Sequence, residues 1–100
     1  MAYQNNFASR IISSENIASS GTSAQSGSAP FGARVVRITA TANVNIVIGI
    51  NPTATAAGTL IEPAAPGYFV VTPASSVGGS DGEKVASIGS ATVNITWLEG

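Results

Sequence analysis

The stretch "VVRITATANVNIVIGINPTATAAG", residues 35–58, decides the fold. From 36 to 50 within it, Val36, Ile38, Ala40, Ala42, Val44, Ile46, Ile48 and Ile50 take every even position, while Arg37, Thr39, Thr41, Asn43 and Asn45 hold odd ones. Successive strand residues point to opposite faces, so this is a β ribbon with one apolar side, rich in Val, Ile and Thr. Parity also constrains the connection. A two-residue hairpin loop would exchange the inward parity of its strands. Here parity survives, which predicts a bulged hairpin with a three-residue loop at 41–43, in preference to a single bent strand. Asn43 suits the left-handed conformation that such a loop uses.

Outward from this ribbon the pattern stays β. "INPTATAAG" is a Pro-initiated turn and loop. "TLIEP" is a short strand, "PAAPG" a break, and "YFVVTP" an aromatic and β-branched strand closed by Pro73. "ASSVGGSDG", residues 74–82, reads as a flexible excursion, since glycines and serines surround Val77. "EKVASIGS" and "TVNITWLEG" read as a last hairpin. Its inward set passes from Ala86 and Ile88 to Val93, Ile95 and Trp97, which calls for an even-length loop at 89–92. Short strands with turn signals about every ten residues predict an all-β fold. The expected form is a small antiparallel β-sandwich or barrel of about six to seven strands, in preference to a single sheet with one open face. No helix is required after Ala33.

Residues 1–30 differ in texture, with Ser, Asn, Gln and Ala around isolated apolar side chains. Tyr3, Phe7 and Ile11 have the spacing of one face of a short helix, but the surrounding Ser and Asn compete for backbone hydrogen bonds. The segment therefore reads as an extended N-terminal arm, with a short strand at 22–28, followed by a compact β domain at 31–100. Candidate interface residues are Tyr3, Phe7, Ile11, Ile12, Ile17, Phe31, Tyr68 and Trp97. Tyr68, Phe69 and Trp97 are core residues by default, although Tyr and Trp often keep one edge at an interface.

The chain has 100 residues, 44% hydrophobic and 9% charged, with a net charge of −1. Arg10, Arg34, Arg37 and Lys84 are too scattered to grip nucleic acid by its phosphates. The absence of His and Cys removes the usual general base, the usual nucleophile–base pairs, the commonest zinc ligands and any disulfide. No metal or cofactor is expected, and no enzyme activity. The closest carboxylates, Asp81 and Glu83 in "GGSDGEKV", read as turn chemistry in preference to a calcium or acid–base site, because calcium needs more oxygen ligands at set spacings. Neither a basic start with an apolar run nor an apolar stretch of about 20 residues is present, so the sequence predicts a chain made in a cytoplasm, without a membrane partner. So small a β region buries only about 60% of its unfolded surface and is marginal alone. With no disulfide or metal to help, association with a partner is the expected remedy.

The elements "TSAQSGSAPFGARVVRITATANVNIVIGINPTATA", "YFVVTP", "GEKVASIG" and "ATVNITWLEG" resemble, in order and spacing, a family of small tailed-bacteriophage virion proteins. The most distinctive piece is the Gly–x–Asn–Pro–Thr–Ala–Thr turn at 49–55 after "VNIVIG". The resemblance covers residue 22 to the C-terminus and is closest to capsid decoration, or cement, proteins. It implies a homo-oligomer, a trimer ahead of a dimer, that sits on the virion surface and bridges subunits of the major capsid protein. A tail, baseplate or fibre module that binds a host receptor or glycan is the alternative. In the family pattern Pro and "GEKV" are adjacent, whereas here residues 74–81 intervene.

Overall fold

A computed structural model describes residues 10–99. It contains eight strands: β1 (Ile11–Ser19), β2 (Ala24–Gln25), β3 (Val35–Ala40), β4 (Val44–Gly49), β5 (Thr59–Ile61), β6 (Gly67–Val70), β7 (Lys84–Ile88) and β8 (Ala91–Leu98). They form two antiparallel four-stranded sheets in the orders β1-β8-β3-β6 and β2-β7-β4-β5. The expected small antiparallel sandwich is therefore present, with eight strands in place of six or seven.

The even ribbon of residues 36–48 becomes β3 and β4, which lie in different sheets. The expected hairpin is a corner. A hairpin would have put every even side chain on one face of one sheet, needing cover from elsewhere. The corner sets Val36, Ile38 and Ala40 of one sheet against Val44 and Ile46 of the other, and all five are buried. The apolar face thus covers itself. Local parity permits both outcomes. The choice rests on distant partners, β8 and β6 for β3, and β7 and β5 for β4.

The second expected hairpin is also a corner, because β7 and β8 belong to opposite sheets. Its inward set is odd throughout: Val85 and Ser87 on β7, then Val93, Ile95 and Trp97 on β8. Ala86 and Ile88, expected inward, face the other side, where they pair with Val47 and Asn45. Only Gly89 and Ser90 make the connection. Gly89 takes φ of 126°, and a Cβ there would lie 2.9 Å from the Asn43 carbonyl oxygen, so the two corners touch and glycine lets them.

Together these pairings define the topology. β1 pairs with β8, β2 with β7, β3 with β6 and β4 with β5. The chain is one long hairpin wrapped into two sheets, which is the jelly-roll arrangement. The segment expected to be a polar arm supplies two of its strands from Ile11 onward. β1 runs along β8 from Ile11↔Leu98 to Ser19↔Ala91, and β2 lies within the anticipated 22–28 stretch. An edge strand with one wet face tolerates the Ser and Asn that disguised it.

The side of the sandwich bounded by β1 and β2 is clasped by polar groups. Glu15 lies on the inward face of β1 opposite Ile95. Its Oε1 accepts from the Gly27 amide at 2.9 Å, and its Oε2 accepts from Trp97 Nε1 at 3.3 Å. The Trp97 side chain is 1% exposed, so that acceptor spares its indole an unmet donor. Deeper, Ser87 Oγ donates to Ser19 Oγ at 2.9 Å, and Ser26 Oγ accepts from the Val85 amide at 2.9 Å.

Glu15→Ala is expected to lower stability by about 1–3 kcal/mol, the cost of a buried donor left unpaired. Glu15→Gln, which keeps one acceptor, should recover part of this. A urea midpoint for Glu15→Ala equal to that of the wild type would contradict the clasp.

Candidate interaction surface

Strand direction sorts the connections between two ends of the sandwich. The corners 41–43 and 89–90, with the turns 20–23 and 62–66, are at one end. The loops 26–34 and 71–83 are at the other, with both limits of the described chain; loop 50–58 leaves β4 there but reaches back to β2, where Ala54 N donates to Ser23 Oγ at 2.8 Å and Gln25 Nε2 to Pro52 O at 2.7 Å. Hydrogen bonds knit that second end together. Ala29 N donates to Glu83 O, Ala74 N to Ala29 O, Val71 N to Arg34 O, Arg34 N to Leu98 O, and Glu99 N to Arg10 O, all at 2.7–3.0 Å.

This knitted end carries most of the large apolar side chains left in water. Ile11, Phe31, Ile50, Val70 and Val77 are exposed there; Leu60 and Tyr68 are exposed on strand faces. Three of them can be traced to their place in the chain. Ala33 N donates to Pro30 O at 3.0 Å, and Gly32 takes φ of 91°, the signature of the third position of a type II turn. Phe31, before that glycine, is held out at the tip. Val70 lies beside Val35, Leu98 and Ile11 in one row across the outer face of its sheet, and is 84% exposed. Ile50 continues the even parity one step beyond β4, where the interior has ended.

The excursion at 74–82 is more firmly tied than its glycines suggested. Asp81 Oδ1 accepts from the Ser75 amide at 3.0 Å, and Oδ2 accepts from Ser75 Oγ at 2.7 Å. Glu83 Oε1 accepts from the Thr72 amide at 2.7 Å. Gly82 is buried where a Cβ would collide with the Ala29 carbonyl oxygen and lie 2.7 Å from the Ala74 amide nitrogen. At its tip Gly79 N donates to Ser76 O at 2.9 Å, and the Val77 side chain stands exposed. The two carboxylates singled out in the sequence thus bind the loop's own backbone, the turn chemistry preferred above.

The sequence-predicted interface residues separate. Ile17 is 6% exposed and Trp97 1%, both in the core, so neither offers a surface; inward odd parity on β1 and β8 puts them there. Ile12 is half-buried against that core. Ile11, Phe31 and Tyr68 are exposed. Phe69 faces inward and is half-buried. Tyr3 and Phe7 lie outside the described residues. Ile50, Val70, Val77 and the Glu15 clasp were missed. In the run Tyr68 to Val71 nothing local says which pair turns outward.

A second feature lies between β4 and β6. β5 pairs with β4 only at Val44, Asn45 and Ile46, so Val47, Ile48 and Gly49 have β7 on one side and no strand on the other. Beside this edge runs a groove of about 350 Å³ lined by Ile46, Val47, Ile48, Ala57, Gly58, Thr59 and Phe69. The outer face of the β1-β8-β3-β6 sheet carries a third. Arg37 Nε donates to Tyr68 Oη at 3.2 Å, and Asn94 Nδ2 donates to Ser14 Oγ at 3.1 Å and to Asn16 Oδ1 at 2.9 Å.

No protein family, curated protein or solved structure matches this chain.

The Ser75 hydroxyl, then the Ser75 amide, hold the Asp81 carboxyl below its ordinary pKa of 3.8. A depressed carboxylate pKa stabilises the closed loop above the ordinary value, and that contribution is lost as pH falls through the depressed one. The Ser75 amide resonance should therefore titrate with a midpoint below 3.8. A midpoint at or above that value would contradict the clasp.

Proposed function

We propose that this chain is a non-catalytic structural component of a phage particle. In this reading it is a capsid decoration protein, made in the host cytoplasm, that docks on the major capsid protein, bridges its subunits and stabilises the head. The observation that carries the reading is the collection of Ile11, Phe31, Ile50, Val70 and Val77, all exposed, at the knitted end of the sandwich. Monomeric soluble proteins rarely leave large apolar patches uncovered, and such patches mark interaction sites. The loops under these side chains are braced by backbone hydrogen bonds, so the end is built to present them at little ordering cost on binding. The family resemblance of residues 22–100 supplies the identity of the partner. Jelly rolls occur in viral capsid, lectin and cupin domains alike, so the fold selects none of these roles.

One observation favours the alternative of a receptor- or glycan-binding tail module. The sheet gathers Tyr68, 61% exposed, with Arg37, Asn94 and Asn16 on one outer face, a grouping that was invisible along the sequence. Asn94, at its centre, is spent within the group, since its Nδ2 serves Ser14 and Asn16 and its Oδ1 accepts from Thr96 Oγ1. The exposed apolar side chains at the knitted end are the more extensive feature, and the docking reading stands first.

Purified chain added to stripped phage heads should rebind at fixed stoichiometry and raise their resistance to heat. Phe31→Asp with Val77→Asp, both at exposed tips, should weaken rebinding at least tenfold without moving the urea midpoint. Undiminished rebinding by this variant would contradict docking through the knitted end.

A further inference from the structure

We propose that β6 is a dimerisation edge, pairing antiparallel with β6 of a second copy of this chain about a two-fold axis at Phe69. β6 ends its sheet, with β3 as its one neighbour in the order β1-β8-β3-β6. The register shows which main-chain groups lie along its other edge. Val71 N donates to Arg34 O, and β6 pairs with β3 from Val35↔Val70 to Ile38↔Gly67. In an antiparallel ladder the main-chain groups of alternate residues point to opposite sides. Those of Gly67, Phe69 and Val71 therefore face β3, and those of Tyr68 and Val70 point away from it. Among the described residues, no hydrogen bond reaches the N–H or C=O of Tyr68 or Val70. Their side chains are 61% and 84% exposed.

One self-pairing uses all of these groups. A register centred on Tyr68 would set Val70 opposite Pro66, which has no N–H to give. A register centred on Val70 would set Tyr68 opposite Thr72, whose amide already donates to Glu83 Oε1 at 2.7 Å. Centred on Phe69, Tyr68 of each copy lies opposite Val70 of the other, and every one of their main-chain groups bonds across the axis.

Side chains and charge fit the same register. On the outer face Tyr68 meets Val70 of the partner subunit, an aromatic beside a β-branched residue and a favourable cross-strand pair. The apolar row Leu98, Val35 and Val70 then continues into Tyr68 of the partner subunit. On the inner face the two Phe69 side chains meet at the rim of the groove that Phe69 lines with Ile46 and Ile48. In a two-fold contact the residues near the axis meet their own copies, so a charge there would face a like charge. Residues 63–80 contain no charged residue. Edge strands that stay single are commonly guarded by charge or Pro, and Gly67–Val70 has neither. The partner that this edge suits is therefore the same edge of another copy.

The inference stands apart from capsid docking, since its test uses the purified full-length chain alone. Val70 also borders the knitted end, but the rebinding variant with Phe31→Asp and Val77→Asp leaves β6 intact, so the two tests fail independently. In sedimentation the wild type should pass from single to paired subunits as concentration rises, and Val70→Lys should weaken pairing at least tenfold. The chain has no cysteine, so introduced thiols report the register. Tyr68→Cys mixed with Val70→Cys should give a covalent dimer under mild oxidation, because the two positions face each other at about 5.5 Å between Cα atoms. Either variant alone should not, since it meets its own copy only on the diagonal, beyond disulfide reach. Val70→Cys mixed with Leu60→Cys, exposed on β5, should not crosslink either. A wild-type chain that stays a single subunit overturns the proposal, as does a Val70→Lys dimer as tight as the wild type. So does a Tyr68→Cys and Val70→Cys mixture that crosslinks no better than either variant alone or the Leu60→Cys control.

Discussion

The structure depends on one constraint: the apolar face of a β ribbon must stay inward while the chain turns from one sheet to the other. Two corners meet it, each by keeping parity. Across 41–43 the even set passes from Ala40 to Val44, and across Gly89–Ser90 the odd set passes from Ser87 to Val93. Both corners lie at the same end and touch, with Gly89 close under the Asn43 carbonyl. Once the central strands β3, β4, β7 and β8 are set face to face, the remaining four can only join the edges. β1 and β6 flank β8 and β3; β2 and β5 flank β7 and β4. The core of Val36, Ile38, Val44, Ile46, Val85, Val93, Ile95 and Trp97 is what those corners enclose.

Much of this was legible along the chain. The alternation of Val36 to Ile48 located β3 and β4 and the three residues between them, and the Val, Ile and Trp of residues 93–97 located β8. Sheet membership was not legible, because a bulged hairpin and a corner leave the same parity. The inward side of β7 was misread for a related reason. In "KVASI" both registers hold apolar residues, and Val85, Ala86 and Ser87 are all buried; the side that meets the core is that of Val85 and Ser87, whose hydroxyl is satisfied by Ser19. β1 was hidden by its outward Ser14, Asn16 and Ala18, which suit a wet face. Nothing local to β1 shows that its inward Glu15 spans Gly27 and Trp97. The exposed Phe31 was legible as a loop aromatic. Val70 and Ile50 were not, since their exposure follows from where neighbouring strands end.

The enlarged β region also changes why this chain would associate. With β1 and β2 integral to the sandwich, the core is larger than a domain beginning at residue 31 would own, and a marginal core no longer compels a partner by itself. What remains is local. One end holds apolar side chains on braced loops, and one side holds the β6 edge beside a cleft.

The wrapping itself is open to direct measurement by cross-strand proton contacts in solution. Contacts between Thr39 and Asn94 and between Ile46 and Ser87, joining each half of the ribbon to a different distant strand, are the predicted result. A ladder of contacts between residues 35–40 and 44–49 would mean that the ribbon closes on itself as a hairpin, and the two-corner account would be wrong.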